Sequence, residues 1–563
     1  MPDTAISAAR LRADESGSGG FAPDARTMPD LVRELSERLP HRPAVITDEQ
    51  TVTFAEFEEQ SSAVAAALLA CGVGRGDAVA IWIPNQPEWL ACMAGAARIG
   101  AMAVPLNTWF KDDEAHYVLE HSEAKVLIAA DQVRGQDLHA SVGRICRAVT
   151  EASNGALRDA ALPQLRHVIQ LGPRRHPGAR SWSVFLSAGG DRAAVNRAGD
   201  RVEETDPLYL LYTSGTTAEP KAVPLTHGHC IANGHALGVR QGMGPDDRSW
   251  LVQPLFWALG AMNMLFSTWT HGAAVILQRV FDAGTGLQTI ERHRATHTFA
   301  VGNISSALLA HPQCKETDLS SLVKGVSLFS HADRVAAYEG LGMTDFVSVY
   351  GSTETHGSCF CASHTDSIDL RMADNGPIMP AWEARLVIPG TDEQVADPSQ
   401  PAELTVRGRL APGYWKAPEQ TSKAFDAEGW FHTGDVVRVT PEGRLVFVSR
   451  QSEMIKTGGI NVAPAEVESV LMRHPAVGQA HVVGVPHPTK GEQVVAVVND
   501  TRTDGEELRA WMAERVAAYK VPARVLCVSD TAIPRLATGK IAKRKLRGQV
   551  AAELGIATGV TDP

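Results

Sequence analysis

The chain has 563 residues, of which 44% are hydrophobic and 21% charged, and its formal net charge is −11. The length predicts about three to four domain-sized units. The acidic balance does not favour nucleic acid or a membrane surface as a partner, and no apolar run approaches the ~18 residues of a membrane span. The eight cysteines are sparse and irregular, which favours buried thiols over a disulfide framework. We therefore expect a soluble, cytoplasmic protein.

The first part of the chain alternates between helical and strand-like patterns. Residues 1–27 are small, polar and rich in Gly and Ser, which predicts a disordered tail. Amphipathic helices are then predicted over residues 30–39 and 54–72, followed by an apolar strand over 77–84. Short apolar strands separated by helices are typical of βαβ units. The pattern predicts an α/β fold with mostly parallel sheets in a large N-terminal αβ body, residues 28–449.

A second region begins near residue 450. A strand pattern ends there, and a helix that begins with Pro464, two apolar strands and another helix follow. This is about 110 residues of α+β pattern, enough for a small domain. The polar residues 450–453 are predicted as a hinge, and residues 454–563 as a small C-terminal domain.

A segment rich in hydroxyl groups follows the predicted strand that ends at Tyr212. Its backbone N–H groups and hydroxyls can surround phosphate oxygens while a lysine neutralises charge. The spacing is not that of a Walker loop. The residues predicted to bind phosphate are Thr213, Ser214, Gly215, Thr216, Thr217 and Lys221.

Three further segments carry residues suited to a nucleotide. Tyr350–Glu354 offers an aromatic ring for a base, hydroxyls for a phosphate and a carboxylate for Mg²⁺. Gly429–Asp435 places an acid where it can hold ribose hydroxyls, and Pro534–Lys540 presents a lysine on a loop that contains Gly. The four segments, in this order, indicate chemistry on a nucleotide.

These segments resemble the motifs of the adenylate-forming superfamily, which contains acyl-CoA synthetases, peptide-synthetase adenylation domains and firefly-type luciferases. The resemblance spans about residues 28–550 and is strongest for acyl- and aryl-CoA synthetases. It implies that a carboxylic acid attacks the α-phosphate of ATP, with Mg²⁺ present, to give an acyl-AMP and pyrophosphate. The C-terminal domain then rotates, and the thiol of CoA attacks the acyl carbonyl and releases AMP. Dimers are common in the family, which leaves a homodimer open.

The resemblance also implies residue roles. Tyr350 stacks on adenine, Thr353 contacts the α-phosphate and Glu354 binds Mg²⁺. Asp435 holds the ribose hydroxyls with help from Arg450. The nucleotide segment is completed by Gly351 and Ser352.

In the C-terminal domain the resemblance assigns residues to the two poses. Lys540 reaches the α-phosphate and the carboxylate only in the adenylating pose. The stretch brought to the site after rotation includes the catalytic candidate Lys456, with Gly458 and Gly459 beside the CoA channel. The hinge position is Ser452, where the family usually has Asp or Lys.

The phosphate loop departs from the family pattern at two positions. Two glycines of the family are Ala218 and Ala222 in this chain. A positive φ at Ala218 would cost about 1–2 kcal/mol, and a Cβ intrudes where backbone should approach a phosphate. An acyl-AMP has no β- or γ-phosphate, so we hypothesise that adenylation is weakened or lost. The enzyme would then accept an acyl-adenylate from a separate adenylating enzyme, although the retained Lys540 argues against complete loss. A small shift of the loop that accommodates alanine is the alternative.

The acyl pocket is predicted from residues around the same motifs. Trp257 replaces a histidine of the family and either lines the pocket or belongs to the core. His331 adds bulk beside the expected adenylate. The predicted lining is mostly apolar or small and has no Lys or Arg, which favours a bulky hydrophobic acid. The candidates are Trp257, Gly260, Asn303, His331 and Gly351.

Three other functions remain open at this point. A stand-alone adenylating enzyme could load the phosphopantetheine of a carrier protein, because CoA has the same thiol arm. A non-catalytic binder of acyl-adenylates is disfavoured by the retained Thr353, Glu354 and Lys540. A luciferase-like oxidation is open by fold alone, since no residue demands oxygen chemistry.

Overall fold

The computed structural model describes residues 21–151, 156–213, 220–300, 302–327, 331–457, 460–462, 464–487, 491–499, 503–516, 518–536 and 541–556. The chain divides into two compact units. The larger unit holds the described residues up to Glu383 together with Arg407–Phe431. The smaller unit holds Ala384–Val406 and the described residues from His432 on.

The α-helices are α1 Met28–Arg38, α2 Phe54–Ala70, α3 Pro87–Ala97, α4 Asp112–Ser122, α5 Leu138–Ile145, α6 Ala148–Glu151, α7 Trp182–Ser187, α8 Arg192–Gly199, α9 His227–Arg240, α10 Leu265–Trp269, α11 Ala283–His293, α12 Gly302–Ala310, α13 His331–Val335, α14 Ile368–Ala373, α15 Pro418–Ala424, α16 Pro464–Leu471, α17 Gly505–Ala513 and α18 Lys543–Glu553. Short 3₁₀ segments span Pro312–Lys315, Gln451–Glu453, Ala518–Lys520 and Asp530–Ala532, and π-helical turns span Leu259–Met264 and Ala336–Gly340.

The strands are β1 Pro43–Ile46, β2 Thr51–Thr53, β3 Ala78–Trp82, β4 Met102–Pro105, β5 Val126–Ala130, β6 Gln132–Val133, β7 Gln136–Asp137, β8 His167–Leu171, β9 Arg180–Ser181, β10 Pro207–Thr213, β11 Lys221–Thr226, β12 Arg248–Leu251, β13 Ala274–Leu277, β14 His297–Ala300, β15 Lys324–Ser327, β16 Asp345–Tyr350, β17 Phe360–Cys361, β18 Glu383–Val387, β19 Ala402–Arg407, β20 Phe431–Val439, β21 Leu445–Arg450, β22 Ile455–Thr457, β23 Ile460–Val462, β24 Ala480–His487, β25 Gly491–Val498 and β26 Arg524–Cys527.

Two large sheets form the core of the larger unit. One has the order β17-β16-β15-β14-β12-β13-β1-β2, and the other has the order β11-β10-β4-β3-β5-β8-β9. Neighbouring strands are parallel except at β17, β2 and β11, which pair antiparallel at the edges. Strands β3 and β5 are buried along their whole length, as is usual for parallel strands covered on both faces. The α/β fold with a large body of mostly parallel sheets is confirmed.

The packed chain begins earlier than predicted. Phe21 lies under the Arg38 guanidinium, 4.0 Å from the ring centroid, and Ala25 is buried and donates its N–H to Glu34. Thr27 caps α1 by accepting the N–H of Asp30. Residues 21–27 therefore pack against α1 rather than belong to a disordered tail, because the cap and these contacts compensate for their polar composition.

The smaller unit contains a four-stranded sheet, β18-β19-β20-β21, and a five-stranded sheet, β23-β22-β25-β24 with β26 beside β25. Helices α16 and α17 pack on one hydrophobic cluster of the five-stranded sheet, and α18 packs on another. The predicted α+β C-terminal domain is thus present, whereas its mobility and its boundary at residues 450–453 stay predictions. None of the helices in the described ranges is long and apolar enough to cross a membrane.

Candidate active site

The predicted phosphate loop lies between two paired strands. Strands β10 and β11 are antiparallel, with Tyr212 opposite Ala222 and Thr213 opposite Lys221. The Thr213 hydroxyl donates to the Lys221 carbonyl oxygen at 3.4 Å. The chain therefore enters and leaves the loop at fixed, adjacent positions. The remaining predicted phosphate ligands, Ser214, Gly215, Thr216 and Thr217, lie outside the described residues, as does Ala218.

Ala222 occupies a regular strand position. It is 2% exposed, its φ is not in the left-handed region, and its carbonyl oxygen accepts the Trp415 N–H at 2.9 Å. Alanine costs no backbone strain in such a strand. The expected effect of the missing family glycines therefore rests on Ala218 rather than on Ala222.

The nucleotide segment forms a tight turn directly after β16. The Ser352 N–H donates to the Thr355 hydroxyl oxygen at 2.8 Å, and the Gly357 N–H donates to the Ser352 carbonyl oxygen at 2.9 Å. A Cβ on Gly351 would lie 2.5 Å from the Gly357 carbonyl oxygen and 2.5 Å from the Ser358 Cα. Only glycine fits at position 351 without displacing backbone.

Two predicted nucleotide residues of this segment are largely withdrawn from solvent. The Ser352 Oγ is buried, and the described residues offer it no hydrogen-bond partner. Tyr350 is 8% exposed and its ring packs against Phe360 at 6.3 Å between centroids. The predicted roles of Tyr350, Ser352 and Thr353 at the nucleotide stay predictions.

Glu354 and Lys221 meet at Tyr414, a residue that the sequence analysis missed. The Tyr414 hydroxyl donates to Glu354 Oε1 at 2.9 Å, and the Lys221 Nζ lies 4.6 Å from the centroid of the Tyr414 ring. Burial and the negative charge of Glu354 raise the pKa of the Tyr414 hydroxyl, so it stays protonated and donates. The one sequence signal was the aromatic pair Tyr414-Trp415 directly after Pro412-Gly413.

The Glu354 carboxylate fits the Mg²⁺ role that the resemblance implies. Oε1 accepts from Tyr414, while Oε2 has no hydrogen-bond or ion-pair partner among the described residues. A carboxylate oxygen is a preferred Mg²⁺ ligand, and Mg²⁺ at phosphates usually takes few protein ligands.

The ribose candidates lie together in the smaller unit. Asp435 on β20 is opposite Arg450 on β21, and the Arg450 Nε lies 2.9 Å from Asp435 Oδ1. The Asp435 side chain is 3% exposed, whereas the Arg450 side chain is 51% exposed. The structure thus places these two predicted residues in one ion pair, and their contact with ribose stays a prediction.

Trp257 belongs to a cluster of three aromatic rings. Its ring lies 5.1 Å from Trp109 and 5.0 Å from Phe256, both edge-on, and Trp109 lies 5.6 Å from Phe256. Trp109 was missed because it is far from Trp257 in the sequence. Edge-to-face contacts fix the orientation of these rings.

The segment after Trp257 adjoins the nucleotide turn. Leu259–Met264 forms a π-helical turn, a geometry often found at functional sites. A Cβ on Gly260 would lie 2.7 Å from the Pro254 carbonyl oxygen, and Asn263 donates to the Gly357 carbonyl oxygen at 3.2 Å. Two of the predicted acyl-pocket segments are therefore neighbours.

Two other acyl-pocket candidates are less constrained. His331 is exposed at the start of α13, with Nδ1 3.5 Å from the Met372 carbonyl oxygen. The described contacts do not link it to Trp257 or Gly260, so its place in the pocket stays a prediction. The side chain of Asn303 lies outside the description.

Most candidates of the C-terminal domain also lie outside the described residues. These are Lys540, Gly458 and Gly459, together with the side chains of Lys456 and Ser452. A half-buried charge cluster in the described part of this domain was not predicted from the sequence. The Lys543 Nζ at the start of α18 lies 3.3 Å from Glu453 and 3.0 Å from Glu468.

Comparisons with known proteins identify the family of this chain. The family model of AMP-binding enzymes matches residues 32–415, and that of the AMP-binding enzyme C-terminal domain matches residues 466–540. The chain belongs to the AMP-binding enzyme family, and its assignment to the adenylate-forming superfamily is confirmed.

Similar proteins carry acyl-CoA synthetase names. YngI of Bacillus subtilis, provisionally named an acyl-CoA synthetase, is 32% identical over 92% of this chain and 96% of its own length. The human mitochondrial medium-chain acyl-CoA ligase ACSF2 is 30% identical over 95% of this chain and 89% of its own length. The crystal structure of the anthranilate CoA ligase AuaEII with anthranoyl-AMP matches with a TM-score of 0.82 and 26% identity, covering 94% of this chain and 98% of that chain. These likenesses support an AMP-forming ligase.

Proposed function

We propose that this chain is an AMP-forming acyl-CoA synthetase that joins a bulky hydrophobic carboxylic acid to CoA through an acyl-AMP. The observation that carries the proposal is the meeting of Lys221 and Glu354 at Tyr414. These residues come from the phosphate-loop motif and the nucleotide motif, to which the resemblance assigns the ATP phosphates and Mg²⁺. The family membership and the named relatives support the same reaction.

In the first step an oxygen of the substrate carboxylate attacks the α-phosphorus of ATP. The bond to the bridging oxygen breaks, and pyrophosphate leaves. Negative charge accumulates on the phosphoryl oxygens, so Lys221 would stabilise the transition state, together with Lys540 as the resemblance implies. Mg²⁺ held by Glu354 and the phosphates would neutralise further charge. The chain needs no nucleophile of its own, because the substrate supplies it.

In the second step the thiol sulfur of CoA attacks the carbonyl carbon of the acyl-AMP. A thioester bond forms, the bond to the AMP oxygen breaks so that AMP leaves, and the thiol proton passes to solvent water. The resemblance assigns this step to the stretch that includes Lys456, Gly458 and Gly459. The acyl-AMP has no β- or γ-phosphate, so this step requires no contact with the phosphate loop. We therefore expect Ala218 to slow only the first step. We propose that adenylation is the slower half-reaction, rather than that it is lost.

The substrate class follows from the predicted acyl pocket. Trp257 and its neighbours Trp109 and Phe256 offer aromatic faces and edges, which favour an apolar acid with a large surface. Close backbone packing leaves no room for a larger residue at Gly260 or Gly351. Chain length and ring content of the acid are the variables to screen.

The test is product analysis by mass spectrometry. The protein is incubated with ATP, Mg²⁺, CoA and a panel of aliphatic, aromatic and polycyclic acids. We expect one acyl-CoA and one AMP per acid consumed, and no thioester when acid or CoA is omitted. The absence of thioester with every acid, both from ATP and from synthetic acyl-AMP, would contradict the proposal.

A further inference from the structure

We propose that Tyr414 is a positioning residue that sets the Glu354 carboxylate and the Lys221 ammonium for adenylation. This inference rests on the proposed function, in which these two groups act on Mg²⁺ and ATP. Tyr414 itself would touch neither phosphate nor metal.

Glu354 is the first of the two groups that Tyr414 contacts. Tyr414 is 9% exposed, and its hydroxyl donates a hydrogen bond to Glu354 Oε1 at 2.9 Å. Its ring is fixed by an edge contact with Phe425 at 6.2 Å, and its N–H donates to the Thr421 hydroxyl at 2.9 Å. A neutral donor on one carboxylate oxygen restricts the rotation of the carboxylate and leaves Oε2 for a metal.

Lys221 is the second group that Tyr414 contacts. Its ammonium lies over the Tyr414 ring, where the π face attracts a cation. None of the ion pairs found in the described residues includes Lys221. The ring face therefore holds the ammonium in the absence of phosphate, and ATP phosphates can replace the ring as its partner.

The backbone around Tyr414 ties the same two sites together. We call Ala411–Trp415 the clasp. Its first residue donates its N–H to the Glu354 carbonyl oxygen at 2.8 Å, and its last donates to the Ala222 carbonyl oxygen at 2.9 Å. The clasp thus hydrogen-bonds to the nucleotide turn and to the strand that carries Lys221. The Tyr414 side chain lies between these two anchors.

Two variants separate the two contacts. Tyr414→Phe removes the hydroxyl and keeps the ring face, while Tyr414→Leu removes both. Tyr338→Phe is the matched control, because the Tyr338 ring packs against Phe346 in the same unit and its residue is in no predicted motif. Three readouts are compared: acid-dependent ATP–pyrophosphate exchange as a function of Mg²⁺, the affinity for Mn²⁺ in the presence of a non-hydrolysable ATP analogue by electron paramagnetic resonance, and thioester formation from synthetic acyl-AMP and CoA.

We expect Tyr414→Phe to weaken Mn²⁺ binding and raise the half-saturating Mg²⁺ concentration by about 10-fold, the order of one hydrogen bond to a charged group. Tyr414→Leu should in addition raise the KM for ATP by about 5-fold, because the ring face is lost. Thioester formation from acyl-AMP should stay within about twofold of wild type in both variants, as should every readout in Tyr338→Phe.

Unchanged Mn²⁺ affinity and unchanged Mg²⁺ dependence in Tyr414→Phe would overturn the inference. An equal fall of both half-reactions with a lowered Tm would also overturn it, since that pattern indicates a structural role alone. If wild type shows neither exchange nor thioester formation with any acid or acyl-AMP, the proposed function fails, and the Mn²⁺ measurement then still decides the role of Tyr414.

Discussion

The two units hold their candidate residues by different means. In the larger unit, Gly351 and Tyr414 are set by backbone hydrogen bonds, close packing and aromatic contacts. In the smaller unit, Asp435 and Lys543 are set by ion pairs with Arg450, Glu453 and Glu468. The larger unit should therefore respond most to changes of shape, and the smaller unit to changes of charge.

Acid should affect the larger unit most. Burial lowers the pKa of His227, His271 and His297 to about 4 in each case, so these side chains are neutral in the folded chain. The unfolded chain takes up a proton at each near pH 6.5, so stability is lost as the pH falls from about 6.5 toward 4. At about pH 5.5 each histidine should cost about 1 kcal/mol of unfolding free energy.

Differential scanning calorimetry between about pH 7.5 and 5.5 checks this, with the unfolding of the two units followed separately by limited proteolysis. In the smaller unit, burial lowers the pKa of one histidine, His481, to about 4. One such group contributes less than the three named above, so the smaller unit should lose less stability as the pH falls. A constant or rising Tm over this range would show that the three histidines are not buried as neutral groups.

A change of shape is tested by Gly351→Ala. The new Cβ would meet two backbone atoms at 2.5 Å, and no flexible side chain can move aside. We expect a loss of about 1–3 kcal/mol in unfolding free energy together with a large loss of ATP–pyrophosphate exchange. Gly74→Ala is the matched control, because a Cβ there has no neighbour within 4 Å. Wild-type exchange in Gly351→Ala would refute the tight turn.

A change of charge is tested by Lys543→Met. The ammonium faces two carboxylates, and its removal leaves Glu453 and Glu468 without their shared partner. The Lys543 side chain is 24% exposed. We therefore expect the variant to lose about 2 kcal/mol of unfolding free energy, less than the ~3–5 kcal/mol lost when a fully buried pair is broken. Urea unfolding of this variant is compared with Lys545→Met, an exposed position on the same helix, α18. Equal stability of the two variants would mean that the cluster contributes little.

Local patterns predicted the elements well. Thr53 and Glu56 form a capping box at the start of α2, and the predicted helix ends near Gly72 as the structure shows. The strand before the phosphate loop was also predicted correctly. Such features depend on neighbouring residues, which a sequence displays directly.

The long-range contacts of the site could not be predicted in this way. Tyr414 reaches Glu354 across 60 residues, and Trp109 meets Trp257 only because their segments pack together. From the sequence, Ala218 and Ala222 were both interpreted as disturbing replacements of family glycines. In the structure, antiparallel pairing with Tyr212 gives Ala222 an ordinary strand conformation. Motif spacing carries no information on which distant segments pack.

The most direct test of the account compares the two half-reactions in one protein. Thioester formation is measured from acid, ATP, Mg²⁺ and CoA, and separately from synthetic acyl-AMP and CoA, for wild type, Ala218→Gly and Ala222→Gly. We predict that wild type forms thioester from both inputs, more slowly from the acid than from the acyl-AMP. The difference between these two rates should become smaller in Ala218→Gly and stay the same in Ala222→Gly. Failure to form thioester from the acyl-AMP, or equal rates from both inputs in wild type, would contradict the account.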